Sequence, residues 1–326
     1  MREPIIFTLN LAPGDTLVSS GAIYDLHQTY PNEYKTTFRG TASYLFENNP
    51  YIEQLTPEEE KNARCIKLGY PLVHKSNSIP YHFSQAFVFE LERNLDRDII
   101  SVTLGGKVFL SDEEKYTPPA IPGDYWLIFA GGKYDFTAKW WNPDFYQDVV
   151  DHFRGKIRFV QVGAKDHFHP KLDGVIDMIG KTPKRELIRL IYHSVGVLTP
   201  VSFGMHLATA VPSSKMDHRA CVVIAGGREP VQWEMYPWHQ FLHSVGTMDC
   251  CAHGGCWKGR CQQVGDNDKK DFDNRLCKYP VDVALQKTKC EYSPLHIPKC
   301  MYDIKPADVI RAIEKWYNNG YLTYEN

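Results

Sequence analysis

No apolar run approaches the roughly 18 residues that a membrane-spanning helix needs, and the start, Met1-Arg2-Glu3-Pro4 before a short β-like run, lacks an export-signal pattern. A cytoplasmic protein is expected. Charge of one sign is also missing. Against 39 acidic residues stand 37 basic ones, a formal charge of -2, so a general electrostatic grip on nucleic acid is not expected. Neither a Walker sequence nor a G-x-G-x-x-G fingerprint occurs, which removes the usual support for ATP hydrolysis and nicotinamide chemistry. There is no internal repeat and no low-complexity tract. Cysteine is scarce over most of the chain: of nine, only Cys65 and Cys221 lie outside the last quarter.

What is present is enough chain for two cores, since 326 residues exceed what one hydrophobic core usually supports. The aromatic content of 13 %, much of it Tyr and Trp, suits either aromatic cores or carbohydrate- and partner-facing surfaces. Residues 5–11 form a buried-strand candidate leading through Ala12-Pro13-Gly14-Asp15 into an apolar-periodic helix that ends near Tyr30-Pro31. Short β-like runs and one amphipathic helix around 80–95 complete a first α/β lobe. A charge run, two adjacent prolines and Pro122-Gly123 mark 111–124 as a linker, placing a boundary near residue 120. Beyond it, strands at 125–130, 157–162, 175–179, 195–198 and 221–224 alternate with helices at 143–153, 184–193 and 204–211, the pattern of a parallel, doubly wound sheet. After Gly226 regularity fails until an amphipathic helix at 306–317.

Ligands of parallel sheets bind at the carboxyl ends of the strands, so four loops draw interest. Gly14-Asp15 sets a carboxylate at a helix start, as a cap or as a ligand-facing group. Gly131-Gly132-Lys133, with Lys139 further on, offers two ammonium groups able to reach a diphosphate, or two solvated lysines. Gly163-Ala164-Lys165-Asp166-His167 offers polar side chains to a nucleoside. Thr199-Pro200-Val201-Ser202-Phe203-Gly204-Met205-His206-Leu207 reads as an anion cradle with a hydroxyl and an imidazole. The seven clustered cysteines, Cys250, Cys251, Cys256, Cys261, Cys277, Cys290 and Cys300, read as a thiolate metal site in the absence of an export signal, with free or disulfide-linked thiols as the alternative.

The order Gly14-Asp15, Asn49-Pro50-Tyr51-Ile52, Lys139-Trp140, Ile179-Gly180-Lys181-Thr182 and Gly204-Met205-His206-Leu207-Ala208 resembles the ADP-heptose-dependent glycosyltransferases of glycosyltransferase family 9, from about residue 5 to residue 245. The resemblance implies a GT-B architecture of two Rossmann-like, doubly wound lobes with a cleft between them: an acceptor-side lobe over 1–120 and a donor-side lobe over 121–248. It also implies that Asp15 is the general base, that Lys139 contacts the donor diphosphate and that Ser202, Phe203, Gly204, Met205 and His206 form the phosphate-binding turn. Gly14, Gly163, Asp166, Arg228 and Glu234 complete the expected donor contacts, a surface ion pair being the other reading of the last two. Family members usually carry an acidic residue where this chain has Val201.

The tail, 249–303, resembles that of bacterial autotransporter heptosyltransferases, which implies a small Cys-rich module holding structural iron or zinc on Cys251, Cys256, Cys277 and Cys300. Cys250, Cys261, Cys290 and His253 are alternates, and residues 304–326 form a C-terminal helix and tail. The function so implied is inverting transfer of a heptose or related sugar from a nucleotide-sugar, ADP-linked by resemblance, to a hydroxyl of a glycan or protein. A carboxylate takes the acceptor proton while a lysine and a helix N-terminus stabilise the leaving diphosphate without a metal. The alternatives are a silent GT-B-like nucleotide-sugar-binding module and a sugar-nucleotide epimerase. A homo-oligomer is compatible with all three.

Overall fold

The computed structural model describes residues 2–269, 276–283 and 295–324. The chain divides into two compact units, one of Met1–Pro118 with His206–Pro212 and one of Pro119–Met205 with Ser213–Asn326.

In the first unit, β1 (Glu3–Leu9) is the centre of a parallel three-stranded sheet. It leads into α1 (Pro13–Thr29), which Pro13 starts at a position where its missing N–H is no loss. Next come β2 (Tyr34–Gly40), α2 (Pro57–Asn62), β3 (Arg64–Lys67), α3 (Phe83–Leu95) and α4 (Asp112–Tyr116). β1 pairs with β2 from Glu3↔Tyr34 to Leu9↔Gly40 and with β3 from Ile5↔Arg64 to Thr8↔Lys67. α4 corrects the reading of 111–124 as plain linker: Ser111 accepts the Glu114 N–H at 3.2 Å while the Glu114 carboxylate accepts from Ser111 N–H, so a capping box starts a short helix there.

α1 is small-sided along Ser19-Ser20-Gly21-Ala22, and the backbone of Gly105-Gly106 lies directly against it. Ser20 Oγ donates to the Lys107 carbonyl at 3.0 Å and accepts the Lys107 N–H at 2.8 Å, tying that loop to the helix. Gly21 has no substitute here, because a Cβ would overlap the Gly105 carbonyl.

In the second unit, β4 (Trp126–Ile128), α5 (Pro143–His152), β5 (Phe159–Gln161), β6 (Ile176–Asp177), α6 (Lys184–His193), β7 (Gly196–Pro200), α7 (Phe203–Ala210) and β8 (Ala220–Gly226) follow the alternation read from sequence. The boundary between units falls inside α7. Beyond β8 the expected irregularity is corrected. α8 (Val231–Glu234) is followed by β9 (His239–His243), which pairs parallel to β8. β10 (Pro280–Val283) pairs antiparallel with β11 (Leu295–Pro298), and α9 (Lys299–Tyr302) and α10 (Pro306–Asn318) complete the unit. β9 escapes sequence reading because His239-Gln240-Phe241-Leu242-His243 carries neither strict alternation nor a continuous apolar run.

The large sheet has the order β6-β5-β4-β7-β8-β9, every pair parallel. Counted within the unit this is 3-2-1-4-5-6, the doubly wound order whose direction reverses between β4 and β7. Its core includes Trp126, Trp141, Tyr146, Phe153, Leu198, Val222, Ile224, Ile297, Met301, Val309, Ile313 and Trp316. Two of the indoles find acceptors: Trp126 Nε1 donates to Tyr317 Oη at 2.9 Å and Trp141 Nε1 to the Ile304 carbonyl at 2.8 Å, locking the C-terminal segment onto the sheet.

Gly21→Ala is expected to lower the unfolding free energy by about 1–3 kcal/mol through overpacking, although alanine favours helix by about 1 kcal/mol. A urea titration checks it. An unchanged or raised midpoint would contradict the close approach of Gly105.

Candidate functional site

The reversal between β4 and β7 places the loops after β4, β7 and β8 along one edge of the large sheet. The lysine and arginine candidates Lys139 and Arg228 meet there through a shared carboxylate. After β4, Gly131 (φ 90°) and Gly132 (φ 152°) turn the chain, and Gly132 exchanges backbone hydrogen bonds with Phe168 (2.9 and 3.1 Å). The 3₁₀ segment Tyr134–Lys139 then delivers Lys139 to the end of β7, where Nζ donates to the Val201 carbonyl at 3.1 Å. From the loop after β8, Glu229 meets the same ammonium at 2.6 Å and also pairs with Arg228. Burial alone would raise the Glu229 carboxyl, but the Arg228 and Lys139 cations hold it below the usual carboxylate range.

Arg228 and Glu234 do not lie at the surface. Arg228, Glu229 and Glu234 are all buried, and the partner of Arg228 is Glu229, which the sequence reading passed over. Its one signal was its place, directly after Gly226-Gly227-Arg228 at a strand end.

Ser202 is the residue before α7. Its hydroxyl accepts the Gly204 N–H at 3.3 Å and lies 2.9 Å from Thr199 Oγ1, while Met205 N–H donates to the Ser202 carbonyl at 3.1 Å. The amides of Gly204 and Met205 are thus engaged inside the first turn, and the Met205 side chain is fully buried. His206 groups with the first unit instead of with Lys139. It packs against Phe83 at 6.4 Å between ring centroids and against Gly14, whose added Cβ would lie 3.1 Å from His206 Cδ2. Asp15, half-buried, sits in the first turn of α1 and accepts the Ala12 N–H at 3.2 Å.

Asp166 and Lys133 are exposed, and Asp166 lies on the turn after β5 beside His167, whose imidazole burial pushes below its usual range. Gly163 is spatially required. The His169 ring lies between the Ala130 carbonyl (Nδ1, 2.6 Å) and the Ala164 carbonyl (Nε2, 3.0 Å), and a Cβ on Gly163 would overlap it.

All eight described cysteines are free, and Cys290 lies outside the described residues. Cys251 and Cys300 flank Gly226-Gly227, where a Cβ on Gly227 would lie 3.1 Å from Cys251 Sγ and one on Gly226 3.3 Å from Cys300 Sγ. Cys256 donates its N–H to the Gly227 carbonyl at 3.2 Å. Backbone N–H groups of Lys258, Tyr279 and Gly227 point at the sulfurs of Cys256, Cys277 and Cys300, the dipole arrangement that favours thiolate. Burial nonetheless pushes the Cys256 and Cys277 thiols up, and Cys300 up to about 12. Cys261 is committed elsewhere, to the Thr137 and His296 carbonyls at 3.5 and 2.7 Å. The four expected ligands fit a thiophilic ion by chemistry and neighbourhood, but among the described residues no three of their sulfurs lie within 4.8 Å of one another. The one group meeting that distance is Asp135, Asp266 and Asp268, and Asp135 and Asp266 already pair with the buried Arg260 at 3.3 and 2.7 Å.

With this geometry in hand, comparison with solved structures gives a consistent answer. The chain is similar to a family 9 glycosyltransferase of Veillonella parvula at 14% identity over 78% of this chain and 92% of that one, with a TM-score of 0.58. The iron-containing dodecameric glycosyltransferase TibC of enterotoxigenic E. coli, also solved with ADP-D-β-D-heptose, matches at 18% identity over 97% and 79%, with a TM-score of 0.61. The fold is that of the family 9 heptosyltransferases. E. coli ADP-heptose lipopolysaccharide heptosyltransferase II matches 98% of this chain with 100% of its own, at 13% identity and a TM-score of 0.61. No protein-family model matches the sequence, and a search of curated proteins finds no match. Among the described residues no helix is long and apolar enough to cross a membrane.

Gly163→Ala is expected to displace the His169 ring from its two carbonyls and to lower stability by about 1–3 kcal/mol. Thermal unfolding together with the His169 imidazole resonances by NMR checks this, and unshifted resonances would contradict the packing.

Proposed function

We propose that the chain is an inverting GT-B glycosyltransferase that moves a heptose or related sugar from an ADP-linked donor to a hydroxyl of a glycan or protein. The observation that carries the reading is the meeting of three loops on Lys139 at the reversal of the large sheet, with the Val201 carbonyl and Glu229 on its ammonium and Arg228 on the same Glu229 carboxylate. That place in a doubly wound sheet is where anionic nucleotides bind. The second unit, with Lys139, Arg228 and the Ser202 turn, is the donor side, and the first unit, with Asp15, is the acceptor side. The likeness in fold to heptosyltransferases whose names specify ADP-heptose supports this choice of donor.

In this reading the Asp15 carboxylate accepts the proton of the acceptor hydroxyl as the new bond forms at the anomeric carbon. Charge develops on the departing diphosphate, where Lys139 and Arg228 stabilise it in a poorly hydrated setting, so the transfer itself needs no divalent ion. Displacement in a single step inverts the anomeric centre. Cys251, Cys256, Cys277 and Cys300 are proposed to hold a structural iron or zinc, which would fix the segment that packs on the loop after β8. A cytoplasmic location and a homo-oligomeric state go with the proposal.

The test is calorimetric titration with ADP-, GDP- and UDP-linked sugars, together with ADP release measured for Asp15→Asn. The asparagine keeps an oxygen for the Ala12 N–H, so the fold survives and the base alone is removed. ADP-sugar binding is expected to persist in the variant while turnover falls roughly 10²–10⁴-fold. Unchanged turnover would sink the base, and no nucleotide binding at all would favour a silent module. Metal analysis of purified protein is expected to find one iron or zinc per chain, and its chelation is expected to lower the melting temperature.

A further inference from the structure

Glu229 organises the two cations of the candidate site. Its Oε1 is shared, with Lys139 Nζ 2.6 Å away and an Arg228 guanidinium nitrogen paired to the same atom. Its side chain is 2% exposed, that of Arg228 9% and that of Lys139 24%. Two cations therefore meet on one carboxylate oxygen where water is largely excluded, and held this close they repel one another except for the carboxylate between them. Neither cation is loose. The Arg228 guanidinium lies 4.9 Å from the Phe136 ring centroid and 5.2 Å from that of Trp257, and its Nε donates to the Lys258 carbonyl at 2.6 Å. Lys139 is anchored on the Val201 carbonyl at 3.1 Å. The lysine, the most exposed of the three, is the member that a ligand meets first.

We infer that Glu229 is a positioning residue for diphosphate binding: by bridging Lys139 and Arg228 through one oxygen it holds them as a fixed cation pair. The inference rests on the reading of this edge of the sheet as the donor side. Removing the carboxylate raises the net positive charge, which by itself would strengthen anion binding. It also leaves two like charges adjacent, and their separation destroys the paired arrangement. The sign of the change in affinity therefore distinguishes positioning from simple neutralisation.

The experiment is calorimetric titration of the full chain with ADP, inorganic pyrophosphate and adenosine at fixed ionic strength, for the unaltered protein, Glu229→Gln and Glu229→Asp, with melting temperatures recorded alongside. Glu229→Gln is expected to weaken ADP and pyrophosphate at least roughly tenfold while adenosine binding is unchanged. Glu229→Asp, which keeps the charge but withdraws it by one methylene, is expected to show a smaller loss of the same selectivity. A lowered melting temperature with an unaltered ADP-to-adenosine ratio overturns the inference, as does tighter ADP binding in Glu229→Gln. If Glu229→Gln does not fold, Glu229→Asp decides, and equal retention of ADP and pyrophosphate overturns the inference. An unaltered protein that binds neither ADP nor pyrophosphate removes the donor-side reading itself, an outcome separate from the others.

Discussion

The second unit is organised around a buried charge that has to be answered. A carboxylate as enclosed as that of Glu229 is tolerated only with cations in contact, and both that contact it come from different loops of the same sheet edge. The order of the strands decides that these loops meet. Because the sheet reverses direction between β4 and β7, the loop after β4 is free to carry Lys139 across to the end of β7 instead of folding back over its own helix. The glycines at 131 and 132, both at positive φ, let the backbone make that excursion while pairing with Phe168.

The cysteine-bearing tail is built into this arrangement and is not an appendage. The segment 255–261 runs along both loops that supply the cations. Trp257 N–H donates to the Arg228 carbonyl at 2.9 Å, Ala138 N–H donates to the Gly259 carbonyl at 3.2 Å, and Cys261 N–H reaches Thr137 Oγ1 at 3.0 Å. Trp257 also forms one face of the Arg228 site. A change in the conformation of this tail is therefore mechanically linked to the 3₁₀ segment carrying Lys139 and to the turn carrying Arg228. The antiparallel pair β10 and β11, with α9 and α10, supplies the backing, and Trp141 bonding to the Ile304 carbonyl fixes the last segment against the sheet core.

Local pattern alone determined the alternation of strand and helix from β4 to β8, the helix that follows β1, the amphipathic helix α10 and the concentration of thiols near the end, because each is written in neighbouring residues as periodicity or composition. The same local reading picked out Lys139 and Arg228 but not Glu229, the residue that joins them, since an acidic residue beside an arginine says nothing about a lysine ninety positions earlier. The bonds of Ser202 inside the first turn of α7 and the packing of His206 against Phe83 and Gly14 were likewise not legible locally. Strand order, burial of the Arg228 and Glu229 pair, and the distances among the cysteines were decided only by the tertiary structure, because all three depend on which distant segments the packing brings together.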